Sequence, residues 1–274
     1  MKNKFLVSIN KLEDIDIYKK VGITTFVFAL KNYSIGYENS FSIEEINSID
    51  ANKYCLINRL LTSKEIDDLI KLLPSINVNG FIIEDIGLID SIKKLNKEVY
   101  LFINHFNCNY ASINEWLNYV DSVFISNELT FDEIKDITKY VKKPVIVHVF
   151  GYNQLMYSRR YLLTNYYKHY NLPYKNNVVI KDKAGSIKMH LIEDEHGTIS
   201  LSNKIFNGKR LLNLNNILYF YLNTSYIPIT IVLDFLNGKD IENSDEGLLD
   251  IPTIFKLGGH DDWVISSGRR FRTS

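Results

Sequence analysis

Seven short apolar runs, rich in β-branched and aromatic side chains, punctuate the first half of the chain at residues 5–9, 25–30, 54–57, 80–83, 99–103, 122–125 and 144–147. They are apolar throughout instead of alternating with polar residues, the pattern of strands covered on both faces in a parallel sheet. Their spacing is about that of one βα unit, and the segments between them carry helical periodicity. Four of those segments open with a Ser/Thr-x-x-Glu box: Ser42 to Glu45, Thr62 to Glu65, Ser112 to Glu115 and Thr130 to Glu133. In such a box the hydroxyl accepts from the third residue's amide while the glutamate reaches back, which satisfies two free donors at a helix start. Strand, cap and helix therefore repeat in order, and 274 residues suit one α/β domain of that kind.

The expected fold is a TIM-like (β/α)8 barrel filling residues 1–257 as a single domain, with an open doubly wound sheet carrying a β-hairpin as the alternative. Past about residue 170 the pattern changes. Runs at 178–180, 187–193 and 198–201, with turn residues at 194–197, predict a small β-rich insertion over about 176–206, before the last strand. Residues 211–221 are predicted to form a helix and 227–233 the eighth strand. From Gly258 to the end apolar periodicity is lost and Arg269, Arg270 and Arg272 crowd together, so 258–274 is predicted to be a disordered tail.

Composition narrows the function classes. Thirty-two basic side chains balance thirty-two acidic ones, so the basic excess of a nucleic-acid surface is missing. No apolar run is long enough to span a bilayer, and the start MKNKFLVSIN lacks the core and cleavage site of a signal peptide. Only two cysteines occur, Cys55 and Cys108, which suits a reducing cytoplasm and is too few for an iron–sulfur cluster held by four thiolates. No cofactor is predicted.

In a parallel α/β sheet of this type the working face lies where strands end. The polar residues found there are Asn58 and Arg59, Glu84 and Asp85, Asn104 and His105, Asn127 and Glu128, and His148. Two carboxylates after one strand, with histidines and a further glutamate after others, supply groups for acid–base work or for a divalent metal. No HExxH-like spacing supports the metal, and none is assigned. The alternative is that they are solvated strand ends. After the seventh run, Tyr157, Ser158, Arg159 and Arg160 form a polar, aromatic stretch; paired guanidinium groups suit a carboxylate or phosphate, or a salt-bridged loop.

These residues also carry a resemblance. Ser126-Asn-Glu-Leu129, Thr130-Phe-Asp-Glu-Ile134, Val145-Ile-Val-His-Val-Phe-Gly151 and Gln154-Leu-Met-Tyr-Ser-Arg-Arg160 resemble successive blocks of the U-32 collagenase-like peptidases, and Gly80-Phe-Ile-Ile-Glu-Asp-Ile-Gly87 is similar to that family's strand ending in Asp-x-Gly. The resemblance implies a barrel-like α/β fold and proteolysis of polypeptides. Related members hydroxylate RNA bases or quinones with an iron–sulfur cluster, but Gln154 and Tyr161 stand here where cysteines are usual. For hydrolysis, Glu84, Asp85, Glu128 and His148 are the expected catalytic groups. Asn58, Arg59, Asn104, His105, Asn127, Tyr157, Ser158, Arg159 and Arg160 are the expected substrate contacts. The competing expectations are a non-catalytic binding or accessory subunit and a partner in RNA modification. The oligomeric state is left open.

Overall fold

The structure is a computed structural model that describes residues 4–103, 105–181 and 188–251; the arginine-rich tail lies outside them. All seven apolar runs form strands: β1 (Phe5–Ser8), β2 (Thr25–Ala29), β3 (Asn52–Ile57), β4 (Gly80–Ile83), β5 (Glu98–Leu101), β6 (Ser122–Val123) and β7 (Val145–Gly151). Helices α1 (Asp14–Lys20), α2 (Ile43–Ser48), α3 (Ser63–Leu72), α4 (Ile89–Lys93), α5 (Tyr110–Trp116) and α6 (Phe131–Tyr140) connect them in turn. Neighbouring strands from β1 to β6 pair in parallel. An eighth parallel strand, β13 (Ile217–Leu222), lies between β1 and β7. The sheet curls until β6 returns to β7. There Phe124 bridges Ile146, the Ile125 N–H donates to the Ile146 carbonyl at 2.9 Å, and Ser122 Oγ donates to the Pro144 carbonyl at 3.0 Å.

This curl explains the two-sided apolar pattern. Leu6, Val27, Leu56, Ile82, Tyr100, Phe124, Ile146 and Tyr221 pack together on the concave side. Phe26, Phe28, Cys55, Phe81, Val99, Val123, Val147 and Phe220 belong to the larger core that the helices cover. Each such side chain, fully buried, stabilises the fold by roughly 1.5–3 kcal/mol relative to exposure. Tyr54 and Tyr100 stack at 4.7 Å, and both hydroxyls donate to Glu98 Oε2, at 2.5 and 2.8 Å. No described helix is long and apolar enough to cross a membrane.

Three expectations need correction. The box at Ser112 is not a helix start: Asn109 caps α5 by accepting the Ser112 N–H at 2.9 Å. An asparagine stands one turn earlier and is an equally strong cap, so the helix begins there. Residues 211–233 reverse their predicted order. Ile217–Leu222, aromatic and β-branched, is strand β13, entered through Asn216 at φ 58°, while α8 (Ile229–Leu236) follows Pro228. Proline fixes φ without needing a donor, which suits the start of a helix.

The insertion also begins earlier than predicted. β8 (Gln154–Ser158), helix α7 (Leu162–His169), β9 (Asn177–Lys181), β10 (Lys188–Asp194) and β11 (Gly197–Ser202) build a four-stranded antiparallel sheet in the order β8-β11-β10-β9. Residues 154–158 read as a loop because they lack a strand's apolar pattern, with the consecutive Leu155 and Met156 both exposed; pairing with β11 makes them a strand. The chain then returns through β12 (Ile205–Asn207), antiparallel to β7, and later adds β14 (Ser244–Asp245) beside β12.

Candidate active site

The parallel strands deliver their polar ends to one side of the molecule, and the insertion stands over that side. The link is Gly151, at φ +126°, where an added Cβ would lie 2.1 Å from the Asn223 carbonyl oxygen. Only glycine lets β7 pass so close to the end of β13 before turning into the insertion. Ile35, Ile199 and Leu201 seal the junction, with Tyr152 and Tyr157 against them.

Beside this junction lies a cleft of about 820 Å³. His105, Asn127 and Glu128 from the parallel strand ends form one side. Asn153, Gln154, Leu155, Lys188, Met189, Ser202, Asn203 and Lys204 from the insertion form another. Asp245, Gly247, Leu248 and Ile251 from the C-terminal segment complete it.

His105 Nδ1 and Glu128 Oε1 are 2.7 Å apart, and both side chains are about half exposed, at 49% and 54%. Next to Glu128, the Asn127 amide donates to His148 Nδ1 at 3.0 Å and to Asn153 Oδ1 at 3.1 Å. His148 Nε2 lies 2.7 Å from the Phe150 carbonyl. A carbonyl only accepts, so Nε2 carries the hydrogen and Nδ1 receives the Asn127 donor. Burial drives the His148 pKa down to about 4, against the raising pull of Phe150 and Asn153. His148 is therefore a neutral, fully engaged ring that orients Asn127, and it reaches the cleft only through that amide.

Glu84 and Asp85 do not line the cleft. The Asp85 carboxylate caps the turn after β4, accepting from the Gly87 N–H at 2.9 Å. Burial pushes the Glu84 carboxyl up to about 8, with Asn58 drawing it back. Its charge is felt by Tyr37, whose hydroxyl is 2.7 Å from that of Tyr221. Tyr37, Asn58, Phe102, His148, Tyr221 and Asn223 line a narrow pit of only about 20 Å³ beneath the insertion, the room of a single water. Asn58 clamps Ile35 from both sides of its amide, accepting its N–H and donating to its carbonyl at 3.0 Å each.

The remaining candidates serve the insertion. Arg59 forms an ion pair with Glu65 and sets Nη1 2.8 Å from His196 Nδ1 at the tip between β10 and β11. Tyr157 donates to the His196 carbonyl at 3.1 Å, and Ser158 Oγ accepts the Arg160 N–H at 3.2 Å. Arg159 and Arg160 are exposed at the far end of β8 from Gln154 and line neither cavity. Asn104 lies outside the described residues. The cleft residues that sequence reasoning missed, Asn153, Lys188 and Lys204 among them, come from the insertion, and no local motif marks them because only tertiary docking brings them to the strand ends.

The thiols do not fit a cluster. Cys55 is buried within β3, and Cys108 lies at the start of α5, where its Sγ donates to the His105 carbonyl at 3.5 Å. Two thiols on separate elements cannot supply four ligands. Among the described residues no three His, Cys, Asp or Glu side chains converge to hold a metal.

A family model described as peptidase family U32 matches residues 10–218. No curated protein matches the chain. Among solved structures, the spore cortex-lytic enzyme SleL of Bacillus megaterium QM B1551 aligns at 10% identity and TM-score 0.40, over 88% of this chain and 75% of that one. A chitinase from Chromobacterium violaceum ATCC 12472 aligns at 8% identity and TM-score 0.38, over 90% of this chain and 97% of that one.

Proposed function

The chain belongs to peptidase family U32, and on that premise we propose that it hydrolyses peptide bonds in the cleft, with Glu128 as general base. The observation that carries this reading is the His105–Glu128 pair, 2.7 Å apart and open to a cavity wide enough for a peptide segment. Glu128 takes a proton from a water, and the resulting hydroxide attacks the scissile carbonyl carbon. Asn153, whose Oδ1 is fixed by Asn127, and Lys204 supply donors toward the developing oxyanion. As the C–N bond breaks, His105 passes the proton to the leaving amine. We take the eight parallel strands as a closed (β/α)8 ring, so that the cleft sits at its C-terminal rim, and the unpaired thiols as suited to the cytoplasm.

Glu128→Gln keeps the size and hydrogen bonding of the side chain and removes the base. Against a fluorogenic peptide library it should lower the cleavage rate at least 100-fold, the scale of general-base catalysis. Alanine at both Arg159 and Arg160 should change the rate less than threefold, because neither residue lines the cleft. Unchanged cleavage by Glu128→Gln refutes the assignment.

A second reading, a binding or accessory subunit, is favoured by the half-exposure of both members of the pair, since water screening weakens tuning of catalytic groups. Absence of cleavage by a folded protein across the library would select it.

A further inference from the structure

We propose that the cleft recognises the free carboxylate end of a peptide whose terminal side chain is apolar, and that Lys188 anchors that carboxylate. This rests on reading the cleft as a peptide site. Other ionisable groups on the cleft wall have partners of their own. His105 faces Glu128 at 2.7 Å, and Lys204 faces Asp245 at 3.6 Å. Lys188, exposed at the start of β10, has no partner among the described residues. A single ammonium is a point charge matched to a monoanion, whereas a phosphate would call for several cations or a bidentate guanidinium.

The surroundings of that charge are apolar. Leu155 is 45% exposed, Leu248 39% and Ile251 51%, and they come from separate parts of the chain to meet at one cavity with Met189. Exposed apolar groups that converge in this way mark a contact surface. A lone cation beside an apolar wall fits a ligand that carries both features on one residue. The last residue of a peptide does so when its side chain is leucine-like. An internal aspartate or glutamate offers the charge without the apolar group, and an internal leucine offers the reverse. The Gln154 and Asn203 side-chain amides alongside supply hydrogen bonds to the preceding peptide units.

The test uses the full chain carrying Glu128→Gln, so that binding is read without turnover. The probes are a fluorescein-labelled Ala-Ala-Leu-Leu with a free carboxylate and the same peptide ending in a carboxamide, followed by fluorescence anisotropy. The acid should bind at least tenfold more tightly than the amide. Lys188→Ala should remove that difference by weakening the acid alone, and Lys188→Arg should restore most of it. Leu248→Asn should weaken binding of the leucine-ended acid at least fivefold while leaving an alanine-ended acid within twofold. Equal binding of acid and amide overturns the proposal, as does a preference that survives Lys188→Ala. Loss of the acid preference in a protein that still cleaves internal bonds refutes the anchor and leaves hydrolysis standing; a preference retained by a protein that cleaves nothing does the opposite.

Discussion

Glu84 follows β4 and His148 lies in β7, and burial moves them in opposite directions, Glu84 from 4.5 up to about 8 and His148 from 6.5 down to about 4. Between pH 4.5 and about 8 folded Glu84 keeps a proton that the unfolded chain has released. The native state then binds more protons, so stability falls as pH rises through that window. For His148 the unfolded chain holds the extra proton between about 4 and 6.5, and stability rises with pH there. The two slopes oppose each other up to 6.5, and above it the Glu84 decline stands alone. Denaturant unfolding should show the protein losing about 1 kcal/mol between pH 6.5 and 8.5, roughly half the full linkage value, allowing for water around the part-exposed carboxyl. Glu84→Gln should lose less than half as much; parallel curves would sink the assignment. Both residues were legible in the sequence as strand-end polar groups, and so was the Glu128–His105 pair. Which of them face open solvent was not, because that depends on where the insertion comes to rest.

Helix starts were the most legible elements. Ser42, Thr62 and Thr130 each make the reciprocal bonds that their spacing predicts, since capping boxes are local devices. The fourth box fails for a reason just as local, the asparagine three residues before Ser112. Thr130→Ala and Asn109→Ala should each cost about 1 kcal/mol in urea unfolding, and Ser112→Ala less than about 0.5, because its hydroxyl adds only a long, exposed bond of 3.3 Å to the Asn109 carbonyl while the cap itself takes its backbone N–H. A cost at Ser112 equal to that at Asn109 would contradict the cap assignment. Helix α7 has no side-chain cap of its own. Its first turn is held by Glu193 on β10, which accepts from the Leu163 and Thr164 N–H groups at 2.7 and 3.0 Å and from the Thr198 hydroxyl at 2.8 Å. A cap borrowed from about thirty residues downstream leaves no local signature, and the same is true of the Asn216 turn that makes 217–222 a strand.

At the scale of the molecule, the insertion is fastened over the strand ends by few polar links. Arg59 is the principal one, reaching from β3 to His196, and its Nε is buried without a partner. Arg59→Ala should raise amide exchange at Gly197 and Thr198 at least tenfold, while amides in β3 and β4 change less than twofold, because local opening is separable from global unfolding. Uniform acceleration across both regions would show that the insertion and the main sheet open together. The first seven parallel strands followed from the apolar runs; the eighth strand and the resting place of the insertion did not, since ties such as Arg59 to His196 span more than a hundred residues.

That same sheet order sets a timetable for synthesis. Phe5 pairs with Phe220 and Val7 with Leu222, so one edge of the earliest strand stays bare until the chain has grown by some two hundred residues. At ordinary translation speeds of roughly 5–20 residues per second, that edge waits on the order of ten to forty seconds for its partner. The nascent protein thus carries a largely apolar strand with one edge open, the kind of edge that invites pairing with another chain until β13 is made.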